Sequence, residues 1–204
     1  MITAQHPQRG YTLAELMVAV AIVGIVSAFG VPSYLTWLKD LRLENTYQEL
    51  QASLLTARGE ALKTQKTVIL CRTGDVYSAN PSCDANVFGT SDANANNEWT
   101  YGWLVYSGET PGVAYVSADH DLLAAIHTDD ADRSVVVTSN AAADEFISYR
   151  ADGRIDETTP IFAVCDDRDD QEHGYRISFS ATGRPIVENF TSDDLTLAEK
   201  DCTP

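Results

Sequence analysis

The N-terminal part of the chain contains one long apolar run. Residues 16–31 form sixteen consecutive positions without a charged side chain, and Glu15 directly precedes them. With its flanks, the segment 11–37 is long enough to cross a bilayer as a helix. We therefore predict a transmembrane helix over residues 11–37.

A helical period continues beyond this run. Six apolar or small side chains recur at steps of four, three, four, three and four residues, and charged side chains lie off this stripe. Such spacing is typical of a helix that buries one face. The stripe consists of Leu43, Tyr47, Leu50, Leu54, Ala57 and Ala61. The pattern predicts one helix whose second half belongs to a globular domain over residues 38–204.

After Thr64 the pattern changes to short segments rich in β-branched and aromatic residues, bounded by Gly, Pro, Asn or Asp. This composition indicates strands. The predicted strands are 68–71, 102–106, 134–138, 145–149, 161–164 and 175–179. We also predict a long loop over 77–97 and turns at Asp152-Gly153 and Thr182-Gly183. The whole is an α+β fold, with a long N-terminal helix packed on antiparallel β-sheet.

The charge balance restricts the partners of this domain. The 204 residues include 30 acidic and 14 basic side chains, which gives a net charge of −16. Affinity for phosphates comes from Lys and Arg, so the composition argues against a nucleic-acid-binding protein with a general basic surface.

The polar leader, residues 1–10, differs from an ordinary secretory signal. A secretory signal is cleaved after its apolar core, whereas Arg9 and Gly10 stand directly before the apolar run. The apolar segment would therefore remain in the mature protein. Arg9 predicts a cytoplasmic leader, with the chain after Pro32 across the membrane.

Four cysteines are present, Cys71, Cys83, Cys165 and Cys202, and none forms a Cys-x-x-Cys pair. An even number at wide spacing favours two disulfides in an oxidising compartment over a zinc site. Three pairings are possible. We expect Cys71–Cys83, which would close a short polar connection, and Cys165–Cys202, which would hold the C-terminal tail.

The segment Gly10-Tyr11-Thr12-Leu13-Ala14-Glu15-Leu16, followed by the apolar helix, resembles the class III signal of type IV pilins and type II secretion pseudopilins. The resemblance implies an inner-membrane protein that passes from lipid into a filament with other pilins. It implies that a prepilin peptidase cleaves after Gly10 and methylates Tyr11. It also implies that Glu15 meets the N-terminal amine of a neighbouring subunit. A carboxylate beside hydrocarbon needs such a partner.

Further segments are similar to the GspH/FimT family, including its FimU minor pilins. They are 57–61, Val68–Cys71, 99–103, 149–154, 162–165 and 177–184. The resemblance implies a type IV pilin-like fold and a minor pilin that helps to assemble or prime a type IV pilus. A GspH-like pseudopilin is the alternative, which Cys165 and Gly183-Arg184 disfavour. Residues 107–132 have no clear counterpart in the family.

A second alternative is a DNA receptor for natural transformation. In FimT proteins that capture DNA, a Gly-Arg-x-Arg motif near the C-terminus makes the contact. Here the corresponding run is Gly183-Arg184-Pro185-Ile186, which lacks the second arginine. Acidic residues follow closely, so we expect Arg184 to be a turn residue and DNA binding to be disfavoured.

No enzymatic motif is recognisable in the sequence. It contains no Gly-x-Ser-x-Gly, no phosphate-binding glycine loop and no dinucleotide fingerprint. The acidic run 166–172 lacks the spacing of a calcium loop, so we expect a solvated hairpin turn there. We predict no catalytic residue, no cofactor and no metal.

Replacing Gly10 tests the processing hypothesis. Gly10→Val should leave a precursor that keeps its leader and migrates more slowly, because a bulky residue hinders the peptidase. N-terminal sequencing of the wild-type and variant proteins checks this. Wild-type protein that retains Met1 in purified filaments would contradict it.

Overall fold

The computed structural model describes residues 11–73, 76, 81–83, 99–108, 110, 115–128, 135–140, 146–166, 168 and 174–189. The chain divides into two compact units, residues 1–39 and 40–204. The leader and most of the predicted 77–97 loop lie outside the described residues.

Helix α1 spans Leu13–Thr64 and includes Pro32. Its second half buries the predicted stripe, since Leu43, Leu50, Leu54, Ala57 and Ala61 are buried and Tyr47 packs against the same core. The stripe prediction is therefore confirmed.

One polar residue, Ser53, is also buried on this face. Trp103 Nε1 donates a 2.8 Å hydrogen bond to the Ser53 hydroxyl, which in turn donates to the Glu49 carbonyl. A buried polar group needs such a partner. This pair fixes the indole of Trp103 against the helix.

Eight strands follow the helix and form two four-stranded antiparallel sheets. They are β1 Thr67–Arg72, β2 Gly102–Gly108, β3 Asp121–His127, β4 Val135–Ser139, β5 Phe146–Tyr149, β6 Phe162–Asp166, β7 Gly174–Phe179 and β8 Pro185–Asn189. The first sheet has the order β3-β2-β1-β5 and the second β4-β6-β7-β8. The α+β prediction is confirmed, and the antiparallel strands make two sheets.

All six predicted strands overlap an observed one, whereas β3 and β8 were not predicted. β3 has the sequence Asp-Leu-Leu-Ala-Ala-Ile-His, which is rich in helix formers and lacks alternation. β8 begins with Pro185, which strands tolerate at their first residue and at sheet edges. Both are outer strands of their sheets, where pairing with a neighbour overrides weak local preference.

The first sheet is buried on both faces at β1. Val68 and Leu70 belong to the main core between helix and sheets, and Ile69 and Cys71 belong to a second cluster with Leu104, Tyr106 and Tyr115. Successive side chains of a strand point to opposite faces, which explains this division. The second cluster places residues 115–120 over the outer face of the sheet.

Two strand edges are closed by segments outside the strands. The Ser148 N–H of β5 donates to both oxygens of Glu157, at 2.9 and 3.0 Å. Desolvation raises the pKa of Glu157, against the opposing effect of these hydrogen bonds.

The second edge is that of β4, where the Trp99 N–H donates to the Val137 carbonyl at 2.7 Å. Because Trp99 lies just before β2, separated from it by Thr100 and Tyr101, this bond links the two sheets.

The acidic run 166–172 begins differently from the predicted solvated turn. Asp166 is a buried residue of β6 and is ion-paired with Arg168. The Nη1 of Arg168 also lies 2.7 Å from Asp40 Oδ1 on the helix. The prediction is therefore wrong for Asp166, because a partner charge offsets the cost of its burial. Residues 167 and 169–172 lie outside the described part of the chain.

Both predicted Gly turns are present and lie against each other. Gly153 and Gly183 have φ of 75° and 78°, a left-handed backbone that favours glycine. A Cβ on Gly183 would lie 2.3 Å from the Gly153 carbonyl oxygen. The first turn follows β5 of the first sheet, and the second joins β7 to β8 of the second sheet. The two turns therefore touch through their backbones. We call this pair of turns, 150–154 and 180–184, the twin turn.

Substituting this glycine should destabilise the domain. Gly183→Ala adds about 1–2 kcal/mol of left-handed strain together with a backbone clash. Gly59→Ala is the matched control, because a Cβ there meets nothing within 4 Å and alanine favours a helix by up to about 1 kcal/mol. Thermal unfolding in detergent, followed by tryptophan fluorescence, should show a lower midpoint for Gly183→Ala and an equal or higher one for Gly59→Ala. Equal midpoints for wild type and Gly183→Ala would contradict the contact.

Candidate functional site

The helix begins with a capping box between Thr12 and Glu15. The Glu15 carboxylate accepts hydrogen bonds from the Thr12 N–H at 2.8 Å and the Thr12 hydroxyl at 3.0 Å. In return, the Glu15 N–H donates to the Thr12 hydroxyl at 3.2 Å. This reciprocal pair satisfies backbone donors that a helix N-terminus otherwise leaves unpaired.

Gly10 and Tyr11 flank the predicted cleavage point. Gly10 lies outside the described residues, and Tyr11 is 91% exposed. Glu15 lies one helical turn beyond Tyr11. The cap was not predicted, although the Thr-x-x-Glu spacing of Thr12 and Glu15 is visible in the sequence and is its usual signal.

The first half of α1 presents apolar side chains to its surroundings. It contains an 18-residue window of mean hydropathy 2.3, none of it buried. By length and composition, the helix is suited to cross a membrane. The exposed large side chains are Leu13, Leu16, Met17, Val18, Val20, Ile22, Val23, Ile25, Val26, Phe29, Val31, Tyr34, Leu35 and Trp37.

A disulfide joins Cys71 on β1 to Cys83, with a Cα–Cα distance of 5.6 Å. This is one of the two predicted bridges. The Cys83 sulfur also accepts a hydrogen bond from the Tyr115 N–H at 3.2 Å. Cys165 on β6 is disulfide-bonded as well. Cys202, its predicted partner, lies outside the described residues.

Arg184 lies in the twin turn, where its N–H donates to the Ser180 hydroxyl at 3.1 Å. The turns are joined by Arg58 of the helix, whose Nε donates to the Gly153 carbonyl at 3.1 Å and the Thr182 carbonyl at 3.3 Å. Sequence analysis did not find this role of Arg58, since its partners are 95 and 124 residues away.

The charges around the twin turn are mixed. Arg154 lies 3.7 Å from Asp152, and Arg150 is ion-paired with Asp156. The carboxylates pair with two of the four arginines at this place, Arg58, Arg150, Arg154 and Arg184. Phosphate affinity depends on uncompensated Lys and Arg, so these two ion pairs lower the attraction of this face for phosphates.

The described residues contain no group of three or more His, Cys, Asp or Glu side chains suited to hold a metal ion. The same part of the chain shows a helix cap made by a glutamate, an exposed apolar helix and two disulfide-bonded strand cysteines, Cys71 and Cys165. An exposed apolar helix that begins at a capped glutamate and continues into a domain of antiparallel sheets defines the class of type IV pilin-like proteins.

Comparison with known proteins identifies the family. Residues 46–183, more than half of the chain, match the family model of the type II transport protein GspH. Residues 5–31 match the prokaryotic N-terminal methylation motif. The chain belongs to the GspH family and carries the prepilin-type N-terminus.

A solved structure shows the same fold. The type IV minor pilin FimU of Pseudomonas aeruginosa PAO1 superposes with a TM-score of 0.50 at 17% identity, covering 78% of this chain and 94% of FimU. The likeness confirms the type IV pilin-like fold.

Curated relatives match over shorter stretches. The chain is 46% identical over 41 residues to prepilin peptidase-dependent protein D of Escherichia coli K12, covering 20% of this chain and 28% of that protein. It is 36% identical over 62 residues to a fimbrial protein of Pseudomonas aeruginosa and 37% over 65 residues to the type IV major alpha-pilin of Moraxella bovis. These cover 30% and 32% of this chain. The chain spans 40% of the length of each of these two relatives.

Peptide mapping without reduction checks the cysteine pairing. We expect a peptide that joins Cys71 to Cys83 and a second that joins Cys165 to Cys202, with no free thiol. The reason is that a bridge to the tail constrains a segment that would otherwise fray. A Cys165 peptide linked to any other cysteine, or a reactive thiol in the unreduced denatured protein, would contradict this pairing.

Proposed function

We propose that the chain is a minor pilin that takes part in the assembly or priming of a type IV pilus. It is inserted in the inner membrane with its C-terminal domain in the periplasm, is cleaved after Gly10 by a prepilin peptidase and is methylated at Tyr11. The observation that carries the proposal is the helix itself. Its first half is apolar and exposed on every side, and its second half buries one face in the domain.

The exposed apolar half of α1 needs an apolar environment, and in this proposal that environment changes during assembly. Lipid tails cover an apolar helix in the membrane, and helices of neighbouring pilins would replace them in the filament. Association of helices out of lipid depends on close packing and polar contacts rather than on the hydrophobic effect. Gly24 and Gly30 favour close packing because a residue without a side chain lets a neighbouring backbone approach, and the space beside both is open.

Glu15 supplies the polar contact in this proposal. A carboxylate at the membrane edge is costly, and its hydrogen bonds to Thr12 leave its charge unbalanced. Cleavage after Gly10 creates an ammonium group on Tyr11. An ammonium of a neighbouring subunit would balance the charge and set the axial position of the incoming pilin.

A structural role fits the comparisons, whose named relatives are pilins and fimbrial proteins. A GspH-like pseudopilin of a type II secretion system is the alternative that the matching family model supports. The filament that contains the protein separates the two. Recovery in sheared pili supports the minor pilin, and recovery only in secretion pseudopili supports the alternative.

Two substitutions at Glu15 separate its charge from its cap. Glu15→Val removes both, whereas Glu15→Gln removes the charge and keeps a side chain that capping boxes accept. If the charge pairs with a neighbouring amine, both variants should insert in the membrane but be strongly depleted from sheared filaments. Quantitative immunoblotting of membrane and filament fractions measures this.

Glu44→Gln is the control for loss of a helix carboxylate, because Glu44 lies in the domain half of α1 and is exposed. It should enter filaments like the wild type. Normal incorporation of Glu15→Gln with loss of Glu15→Val would show that only the cap matters and would refute the charge pairing.

The DNA-receptor alternative has a direct test. We expect no binding of the full-length protein to duplex DNA at physiological salt, because the carboxylates at the twin turn and the net charge of −16 oppose it. Fluorescence anisotropy with labelled duplex measures this. Micromolar binding that Arg184→Ala abolishes would make DNA uptake the better function.

A further inference from the structure

A polar pocket of about 230 Å³ opens where β2 ends and β3 begins. Its lining residues fall between Lys66 and Asp121 in the sequence. Most of them belong to the segment 107–132, for which the sequence alone suggested no family counterpart. Six of the residues that line it carry polar side chains: Lys66, Ser107, Thr110, Asp119, His120 and Asp121.

His120 is held in one orientation at this pocket. Its Nδ1 accepts a 2.9 Å hydrogen bond from the Val116 N–H, which places the proton of the neutral imidazole on Nε2. The ring packs against Tyr106 and Tyr115, with centroids 5.3 and 6.1 Å away. The Nε2–H is therefore a fixed donor on a rigid aromatic support.

The wall that carries His120 is anchored to the sheet. The N–H groups of Asp119 and His120 both donate to the Val116 carbonyl at 3.0 Å, which forms a tight turn. Tyr115 N–H donates to the sulfur of Cys83, which is bonded to Cys71 on β1. Such an anchored wall loses little conformational entropy when a ligand binds.

The donors and acceptors of the pocket restrict its ligand. Two carboxylates and one ammonium line the pocket, a balance that disfavours an anion, and the described residues include no group of three or more His, Cys, Asp or Glu suited to a metal ion. The hydroxyl groups of a sugar suit such a mixture, because each can donate to a carboxylate and accept from an N–H. Drug-sized ligands occupy pockets of roughly 300–1,000 Å³, so about 230 Å³ corresponds to a smaller molecule.

We propose that this pocket binds a neutral monosaccharide unit. The carboxylates of Asp119 and Asp121 accept hydrogen bonds from adjacent sugar hydroxyls, and Lys66 Nζ and His120 Nε2 donate to sugar oxygens. An adjoining cavity of about 150 Å³ shares Lys66 and Asp121 and is also lined by Val68 and Leu123, which gives room for a following sugar ring. This recognition function is separate from filament assembly.

Saturation-transfer NMR on the full-length protein tests the proposal, in a detergent without a sugar headgroup. The probes are free galactose, glucose, mannose and N-acetylglucosamine, with glycine betaine as a zwitterionic probe. We expect signal transfer to at least one sugar and none to betaine. Asp121→Asn and Lys66→Gln should each weaken that binding about tenfold or more, since each removes a charge-assisted hydrogen bond.

Glu188→Gln is the matched control, because Glu188 is an exposed carboxylate on β8 of the other sheet. It should bind sugar like the wild type. Lys66 is an exposed side chain, so its substitution leaves the core intact, and thermal midpoints check the folding of every variant. The proposal is overturned if no sugar receives signal, if the pocket variants bind as well as the wild type, or if betaine binds in place of sugars.

Discussion

Burial of the second half of helix α1 is the interaction on which the domain depends. Leucines and alanines from Leu43 to Ala61 share one core with apolar residues of both sheets, and the buried polar residue of this face, Ser53, is satisfied by Trp103. Each sheet alone would expose an apolar face to water. The helix therefore stabilises both sheets at once, and the same element carries the exposed apolar segment 13–37.

Three cross-links reinforce this packing where the chain changes direction. Arg168 joins Asp166 of β6 to Asp40 of the helix, and Arg58 joins the helix to both halves of the twin turn. The Cys71–Cys83 disulfide holds Cys83, and through it Tyr115, against β1. The two carboxylates balance the charge of Arg168, and the Nε of Arg58 is used in hydrogen bonds to backbone carbonyls.

Local pattern was sufficient to predict the helix, its buried stripe, six strands and both Gly turns, because each depends on residues close in sequence. Two of the four outer strands, β3 and β8, escaped prediction because they owe their form to pairing with β2 and β7. Long-range contacts such as that of Arg58 leave no periodic signal. The capping role of Glu15 has a visible signal in its spacing from Thr12, but a carboxylate at the edge of an apolar run is equally typical of a residue with an ionic partner outside the chain.

We propose that other pilins cover the exposed half of α1 in a filament. A photo-crosslinking amino acid at Val23, in the middle of this half, tests it most directly. Our account predicts crosslinks from Val23 to pilin subunits in filaments sheared from cells. Crosslinks to lipid alone, with the chain absent from sheared filaments, would contradict it.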